Sequence, residues 1–311
     1  MLAMQPPVST ARYAKCIDVS KRVRWDIDRD VVRGRRFDFS KKFLPDGLSL
    51  VPRFEFLTGE ERRLLSQIQG RTYANMFALA ERFIGAKMLD LGSEHWMGDQ
   101  VALEALVRSS EEEIKHQTLF RRVDKMIGES MPAGYRFWPP INDVAELVLR
   151  RSTWAVLAFT CHIELLTQTH FRRNFEIEGE LCELFKDVFL FHWKEESQHA
   201  ILDELEWIRE DGKLDAEQRE RGVSDLIELV RAMDGLLQLQ APADVDYFLG
   251  ICARPFAPEQ ISTLQKDVLQ AYRWQYIGSG FQDPRFAAIL AGMVTHTQSA
   301  RIDAATAPLM S

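Results

Sequence analysis

The sequence predicts an all-α protein, a four-helix core preceded by an arm and followed by further helices packed on it. Two observations carry this. Between about residues 58 and 212 apolar side chains recur at three- and four-residue spacing, and the prolines of that span, Pro132, Pro139 and Pro140, fall in one connection. No stretch of useful length shows the apolar and polar alternation of a half-buried strand.

Taken in order, residues 1–57 form the arm, in which Trp25, Phe37, Phe39 and Phe43 interleave with alternating Asp and Arg. The first core helix is announced by Thr58-Gly59-Glu60-Glu61, a capping pattern with acids in the first turn, and should run to about Leu91. A second begins near Asp99, after Gly98, and continues to about Met126. Met131-Pro132-Ala133-Gly134 and Pro139-Pro140 cannot continue a helix, so this connection is a crossover rather than a tight turn. Asn142 or Asp143 would cap a third helix reaching about Arg173. Gly179 marks the turn into the fourth, which Asp211-Gly212 ends. Three shorter helices are expected over about 216–239, 258–277 and 283–299, the last two opening with Pro at the first helical position. The whole, 1–311, reads as one domain: arm 1–57, core bundle 58–212 and C-terminal helices 213–311.

Composition excludes several classes. With 311 residues, 46% hydrophobic and 27% charged, the chain is neither disordered nor fibrous. The longest charge-free stretch, 286–300, contains Thr, His, Gln and Ser, whereas a membrane span needs about 20 mainly apolar residues. The start, Met1-Leu2-Ala3-Met4-Gln5-Pro6-Pro7, lacks the pattern of a secretory leader, and a cytoplasmic location is expected. Cys16, Cys161, Cys182 and Cys252 form no C-x-x-C pair and read as reduced thiols. Net charge is −7, but residues 1–50 hold 11 Lys/Arg against 6 Asp/Glu, so a basic arm lies across an acidic body. No zinc-finger or helix-turn-helix pattern accompanies the arm, and neither a nucleic acid nor a membrane is expected as partner.

The chemistry sits in the core helices. Glu164 is the one charged side chain in residues 152–171, and a buried carboxylate must be protonated, paired or metal-bound. Two Glu-x-x-His matches occur, Glu113-x-x-His116 and Glu196-x-x-His199, and three residues advance a helix by about 300°, which leaves both side chains of each on one face. Glu113 follows Glu81 by 32 residues and Glu196 follows Glu164 by 32. The same unit is written twice. In an antiparallel hairpin, residues equidistant from the turn lie level, and the midpoints, 97 and 180, fall within one residue of Gly98 and Gly179. Two stacked hairpins would therefore gather four carboxylates and two imidazoles. Such acids repel strongly unless divalent cations lie between them. Mixed carboxylate and imidazole donors favour iron, manganese or zinc, and a Glu from each of two helices plus Glu-x-x-His from two others is the ferritin-like di-iron arrangement. The competing reading leaves Glu81, Glu113 and Glu196 on a solvated face beside Glu112 and Glu195, with the histidines as core residues. His192, one turn before Glu196, extends the face to His192-x-x-x-Glu196-x-x-His199, whereas Ser109 holds the equivalent place before Glu113. A third histidine would make the two sites unequal, although the aromatic run Phe189 to Trp193 also suits a core histidine.

These residues, Glu81, Glu113-x-x-His116, Glu164 and His192-x-x-x-Glu196-x-x-His199, resemble the di-iron N-oxygenases of the p-aminobenzoate N-oxygenase type, over about 58–210. The resemblance implies a ferritin-like bundle with all seven as ligands of two iron ions, with O2 and an electron donor as co-reactants. It also implies oxidation of a small organic substrate, an arylamine, to a hydroxylamine or nitro product. An Mn/Fe pair and a homodimer fit the same expectation. The arm and the C-terminal helices match that family only in length and order. Acyl desaturases share the doubled motif without needing His192, and a non-enzymatic iron-binding protein remains a further alternative. The radical-bearing subunit of ribonucleotide reductase has a tyrosine where this chain has Phe120. Thr160, one turn before Glu164, either assists dioxygen and proton handling at the metals or bonds its own backbone.

Overall fold

The computed structural model describes residues 10–310, so the opening residues 1–7, read for a leader, lie outside it. Among the described residues every regular element is helical, apart from one isolated bridge between Lys42 and Leu181. The helices are α1 (Thr10–Arg22), α2 (Asp46–Ser49), α3 (Gly59–Gly92), α4 (Gln100–Gly128), α5 (Ile141–Leu149) and α6 (Thr153–His170). They continue with α7 (Glu183–Asp211), α8 (Ala216–Ile251), α9 (Pro258–Arg273), α10 (Ser279–Phe281), α11 (Pro284–Met293) and α12 (His296–Thr306). None is long and apolar enough to cross a membrane.

α3 starts where its capping residues predict. Thr58 Oγ1 accepts from the Glu61 backbone N–H at 3.2 Å, and the Glu61 carboxylate accepts from the Thr58 N–H at 2.8 Å. Asp99 caps α4 by accepting from the N–H groups of Val101 and Ala102. α3 packs along α4 and α6 along α7, and the two hairpins meet through α4 with α7 and α3 with α6. One apolar core runs through both, with Phe77, Phe120, Leu157 and Phe189 among its members. α3 and α4 approach closely at Gly85, where a Cβ would stand 3.0 Å from that of Glu113.

Three predicted elements are corrected. The third core helix is two helices: the backbone turns at Arg150–Arg151, and the Ser152 N–H leaves the helical ladder to donate to Asp225 at 2.9 Å. Ser152 then occupies the N-cap position of α6, a start signal inside the expected helix. α8 passes its expected end at residue 239 and carries Pro242 within it. Side chains on both sides of that proline anchor the continuation, since Gln240 donates to Arg136 O, Tyr247 donates to Pro132 O, and Asp244 accepts from Thr72. Those contacts offset the ~3 kcal/mol a helix-interior proline costs. The helix expected over 283–299 divides at Val294, because Thr295 and Gln298 form a capping box that opens α12.

Among the described residues the arm carries helices too. α1 lies on α4 and α7, burying Tyr13, Cys16 and Ile17 against Ala102, Ala105, Leu202 and Leu205. Its basic residues and those after it pair with the acidic body, Arg12 with Glu204 at 2.8 Å and Arg35 with Asp187 at 2.6 Å.

Candidate metal centre

Seven side chains converge between the hairpins: Glu81 from α3, Glu113 and His116 from α4, Glu164 from α6, and His192, Glu196 and His199 from α7. Each is at most 2% exposed. Glu81, His116, His192 and Glu196 bring ligand atoms within 4.8 Å of one another, as do Glu113, His116, Glu196 and His199. Either group could hold a metal ion. Glu164 stands outside these two tightest groups, buried beside Glu196 and Glu113.

Glu113 spans two imidazoles and Glu196 three. Glu113 sets Oε2 3.3 Å from His116 Nδ1 and Oε1 2.9 Å from His199 Nδ1. Glu196 sets Oε1 2.8 Å from both His116 Nδ1 and His192 Nε2, and Oε2 2.7 Å from His199 Nδ1. His192 Nε2 also meets Glu81 Oε1 at 3.0 Å. Helical geometry delivers this, because residues 192, 196 and 199 of α7 share a face and residues 113 and 116 of α4 do likewise. Glu81 Oε2, Glu113 Oε1 and Glu196 Oε1 are nonetheless buried without a hydrogen bond. Lone pairs crowded together in this way fit a bound cation, which would satisfy them all at once.

The outer nitrogens of the paired histidines are held crosswise. His116 Nε2 meets Glu195 Oε2 of α7 at 2.8 Å, and His199 Nε2 meets Glu112 Oε2 of α4 at 2.8 Å. Lys115 Nζ donates to Glu195 at 2.5 Å, while Gln198 and Ser20 donate to Glu112 at 2.7 Å each. The repeated unit is therefore Glu-Glu-x-x-His, in which the leading acid of each helix fixes the histidine of the other. Glu112 and Glu195 are buried, and their adjacency to both motifs was the signal that a solvated-face reading passed over. The arm also enters the site: Trp25 stacks on His116 with centroids 5.9 Å apart, and Ser20 braces Glu112.

Charge is balanced by protons. Burial and the neighbouring Glu113 push Glu81 up to about 8, and burial with Glu196 raises Glu164 well above the usual carboxylate range. Burial opposes ionisation of Glu113 as well, but the His199 imidazolium outweighs it and holds that carboxyl down to about 2. Glu196 is lowered against burial by His199, His192 and His116. Burial disfavours the imidazolium forms of His116 and His199, yet Glu196 raises both.

Thr160 is fully buried and donates its hydroxyl to Leu157 O at 3.2 Å, so it bonds its own helix. It also lies in hydrogen-bonding reach of Asp203, which follows His199 by one turn. Asp203 Oδ2 is buried without a hydrogen bond, and burial raises its carboxyl well above the usual range. The spacing Glu196-x-x-His199-x-x-x-Asp203 would have placed it on the same face. Phe77 and Phe120 wall His192, with centroids 5.2 and 4.9 Å from its ring. On the Glu81 side, Gln117 donates to the Glu81 carbonyl at 3.2 Å and lines a 550 Å³ cleft with Ala78, Arg82, Arg121 and Pro140. The chain matches no protein-family model and no curated protein.

Proposed function

We propose that this protein is a non-haem di-iron oxygenase on a ferritin-like four-helix bundle formed by α3, α4, α6 and α7, using O2 to oxidise a small organic substrate. The observation that carries the reading is the pair Glu113 and Glu196, each presenting its two oxygens to different imidazoles in a buried site where one oxygen of each, and one of Glu81, has no hydrogen bond. Glu81, His116 and His192 would hold one ion and Glu164 and His199 the other, with Glu113 and Glu196 shared between them. A ferrous pair in that place supplies the electrons that reduce O2, and with them the oxidising power for the substrate.

The rest is work for the protein. Glu195 and Glu112 fix the tautomer and ring orientation of His116 and His199. Glu81 and Glu164 carry protons until cations displace them. Phe77, Phe120 and Phe189 surround His192 and keep water from the site. The cleft at Arg82 and Arg121 gives access beside Glu81. His192 within the cluster supports an arylamine, oxidised at nitrogen, over an acyl substrate, because the desaturase arrangement has no use for this seventh donor. An electron donor re-reduces the pair, an Mn/Fe pair would use the same donors, and we place the protein in the cytoplasm as a homodimer.

The test is anaerobic loading with ferrous iron, elemental analysis, and a single exposure to O2 with arylamines and acyl substrates in parallel. Two irons per chain and a hydroxylamine or nitro product are expected. An accumulating mineral core without product would turn the reading to iron storage, and failure to take up iron would remove it.

A further inference from the structure

Five of the six tyrosines, Tyr73, Tyr276, Tyr272, Tyr135 and Tyr247, form one file that runs between α3 and the C-terminal helices. Ring centroids of Tyr73 and Tyr276 are 6.0 Å apart, and those of Tyr276 and Tyr272 are 6.1 Å apart. Thr72 accepts from Tyr135 at 2.9 Å and donates to Asp244 at 2.6 Å, and Asp244 also accepts from Tyr272. Tyr135 and Tyr247 are 5.8 Å apart, and Tyr247 lines an open cleft with Trp138. The inner end of the file faces the metal centre: Phe77 lies 4.9 Å from Tyr73 and 5.2 Å from His192. A single phenyl ring separates Tyr73 from a candidate ligand.

Oxidising a buried phenol requires a base for its proton, because the oxidised phenol is a very strong acid with no water to receive it. Tyr73 has one. Its hydroxyl meets His170 Nδ1 at 2.7 Å. His170 Nε2 meets Ser279 Oγ at 2.8 Å, and Ser279 donates its own hydrogen to Gln275 O at 3.0 Å. Ser279 therefore accepts from Nε2–H, which leaves Nδ1 as the acceptor for Tyr73. Burial, and after it His162, keeps the His170 imidazole neutral. Tyr272 has its own base in Asp244, whereas the Tyr276 hydroxyl between them has no partner and offers only its ring.

We propose that Tyr73 is a redox-active tyrosine that gives one electron to the oxygen-oxidised metal pair, and that Tyr272 is the next residue to carry the resulting hole. The inference rests on the di-iron reading above. In the first step the Tyr73 O–H bond breaks and an N–H bond forms on His170, the metal pair gains one electron, and a neutral phenoxyl radical remains beside an imidazolium. In the second, Tyr272 supplies an electron to Tyr73 and its proton to Asp244, and His170 returns its proton to Tyr73. A soluble thiol then gives one electron to Tyr272 while Asp244 returns the proton to its phenol, and the thiyl radicals formed, each having released its proton, pair as a disulfide. The file thus discharges the centre when no substrate is present, sparing its own ligands.

The experiment mixes reduced, iron-loaded protein with O2 and a soluble thiol in the absence of substrate, freezes it at intervals and records electron paramagnetic resonance, with ring-deuterated tyrosine in a parallel sample. A transient radical is expected whose hyperfine splitting collapses on deuteration. It should be lost in Tyr73→Phe at unchanged iron content and O2 uptake, and live longer in Tyr272→Phe. Iron uptake and O2 consumption with no tyrosyl signal, or a signal that survives Tyr73→Phe, overturns the proposal and leaves the oxygenase reading standing. An unchanged lifetime in Tyr272→Phe overturns the second step. Should Tyr73→Phe not fold, His170→Gln keeps the phenol and removes the base, and a full-strength signal there overturns the assignment. Failure to take up iron overturns both this inference and the function it rests on.

Discussion

Each histidine of the doubled motif is a two-ended residue, with Nδ1 committed to the cluster and Nε2 to an acid on the opposite hairpin. The outer bond decides which nitrogen carries hydrogen and how basic the inner one is. Glu112→Gln keeps the shape and loses the charge, so metal affinity should fall by about 10–100-fold. Competition against a metal indicator measures it, and an unchanged affinity would show that Glu112 serves packing alone. Protons set a second expectation. Glu81, raised to about 8, and the raised His116 and His199 are protonated in the metal-free protein at neutral pH, and ligation must expel those protons. Affinity should therefore rise with pH through about 8 with measurable proton release, and a flat profile between about pH 6 and 8 would sink this account. Of the site residues, the Glu and His of the doubled motif were legible because a helix places residues three and four apart on one face whatever surrounds it. Glu112, Glu195 and Asp203 were missed because an acid on a long helix is ordinarily solvated, and only the facing helix makes these buried partners.

At the scale of elements, the approach of α3 to α4 sets the depth at which Glu113 enters the cluster. Gly85 makes it possible, since a Cβ there would press on the Glu113 Cβ at 3.0 Å. Gly85→Ala should push the helices apart, costing about 1–3 kcal/mol of stability and weakening metal binding. Thermal unfolding and a metal titration check it together, and normal affinity in the variant would show that α4 yields without displacing Glu113. The caps at Thr58 and Asp99 were readable as sequence because a cap is a local hydrogen bond. The passage of α8 through Pro242 was not, because residues from two distant segments, α3 and the connection before α5, hold it there.

For the molecule as a whole, Asp244 ties α3, α8 and α9 together through Thr72, Gln240 and Tyr272. Burial raises its carboxyl to about 7, against the hydrogen bonds from Thr72, Tyr272 and Gln240, so the folded protein holds this proton more tightly than the unfolded chain does. The stability this contributes is fully present below about pH 4, declines by up to about 1.4 kcal/mol per unit as pH rises, and is gone above about pH 7. Asp244→Asn stays neutral throughout, so its stability relative to the parent should increase between about pH 4 and 7 in denaturant unfolding of metal-free protein. A difference constant with pH would refute the assignment. By itself the sequence determined the helical class and the two matching sets of acids and histidines, because periodicity, capping and hairpin spacing are properties of the chain close to each residue. Only the tertiary structure decided that Glu112 and Glu195 exchange partners across the hairpins, that Trp25 of the arm covers His116, and that His170 takes the Tyr73 hydroxyl. Those neighbours are distant along the chain, and the burial of the entire core selects them.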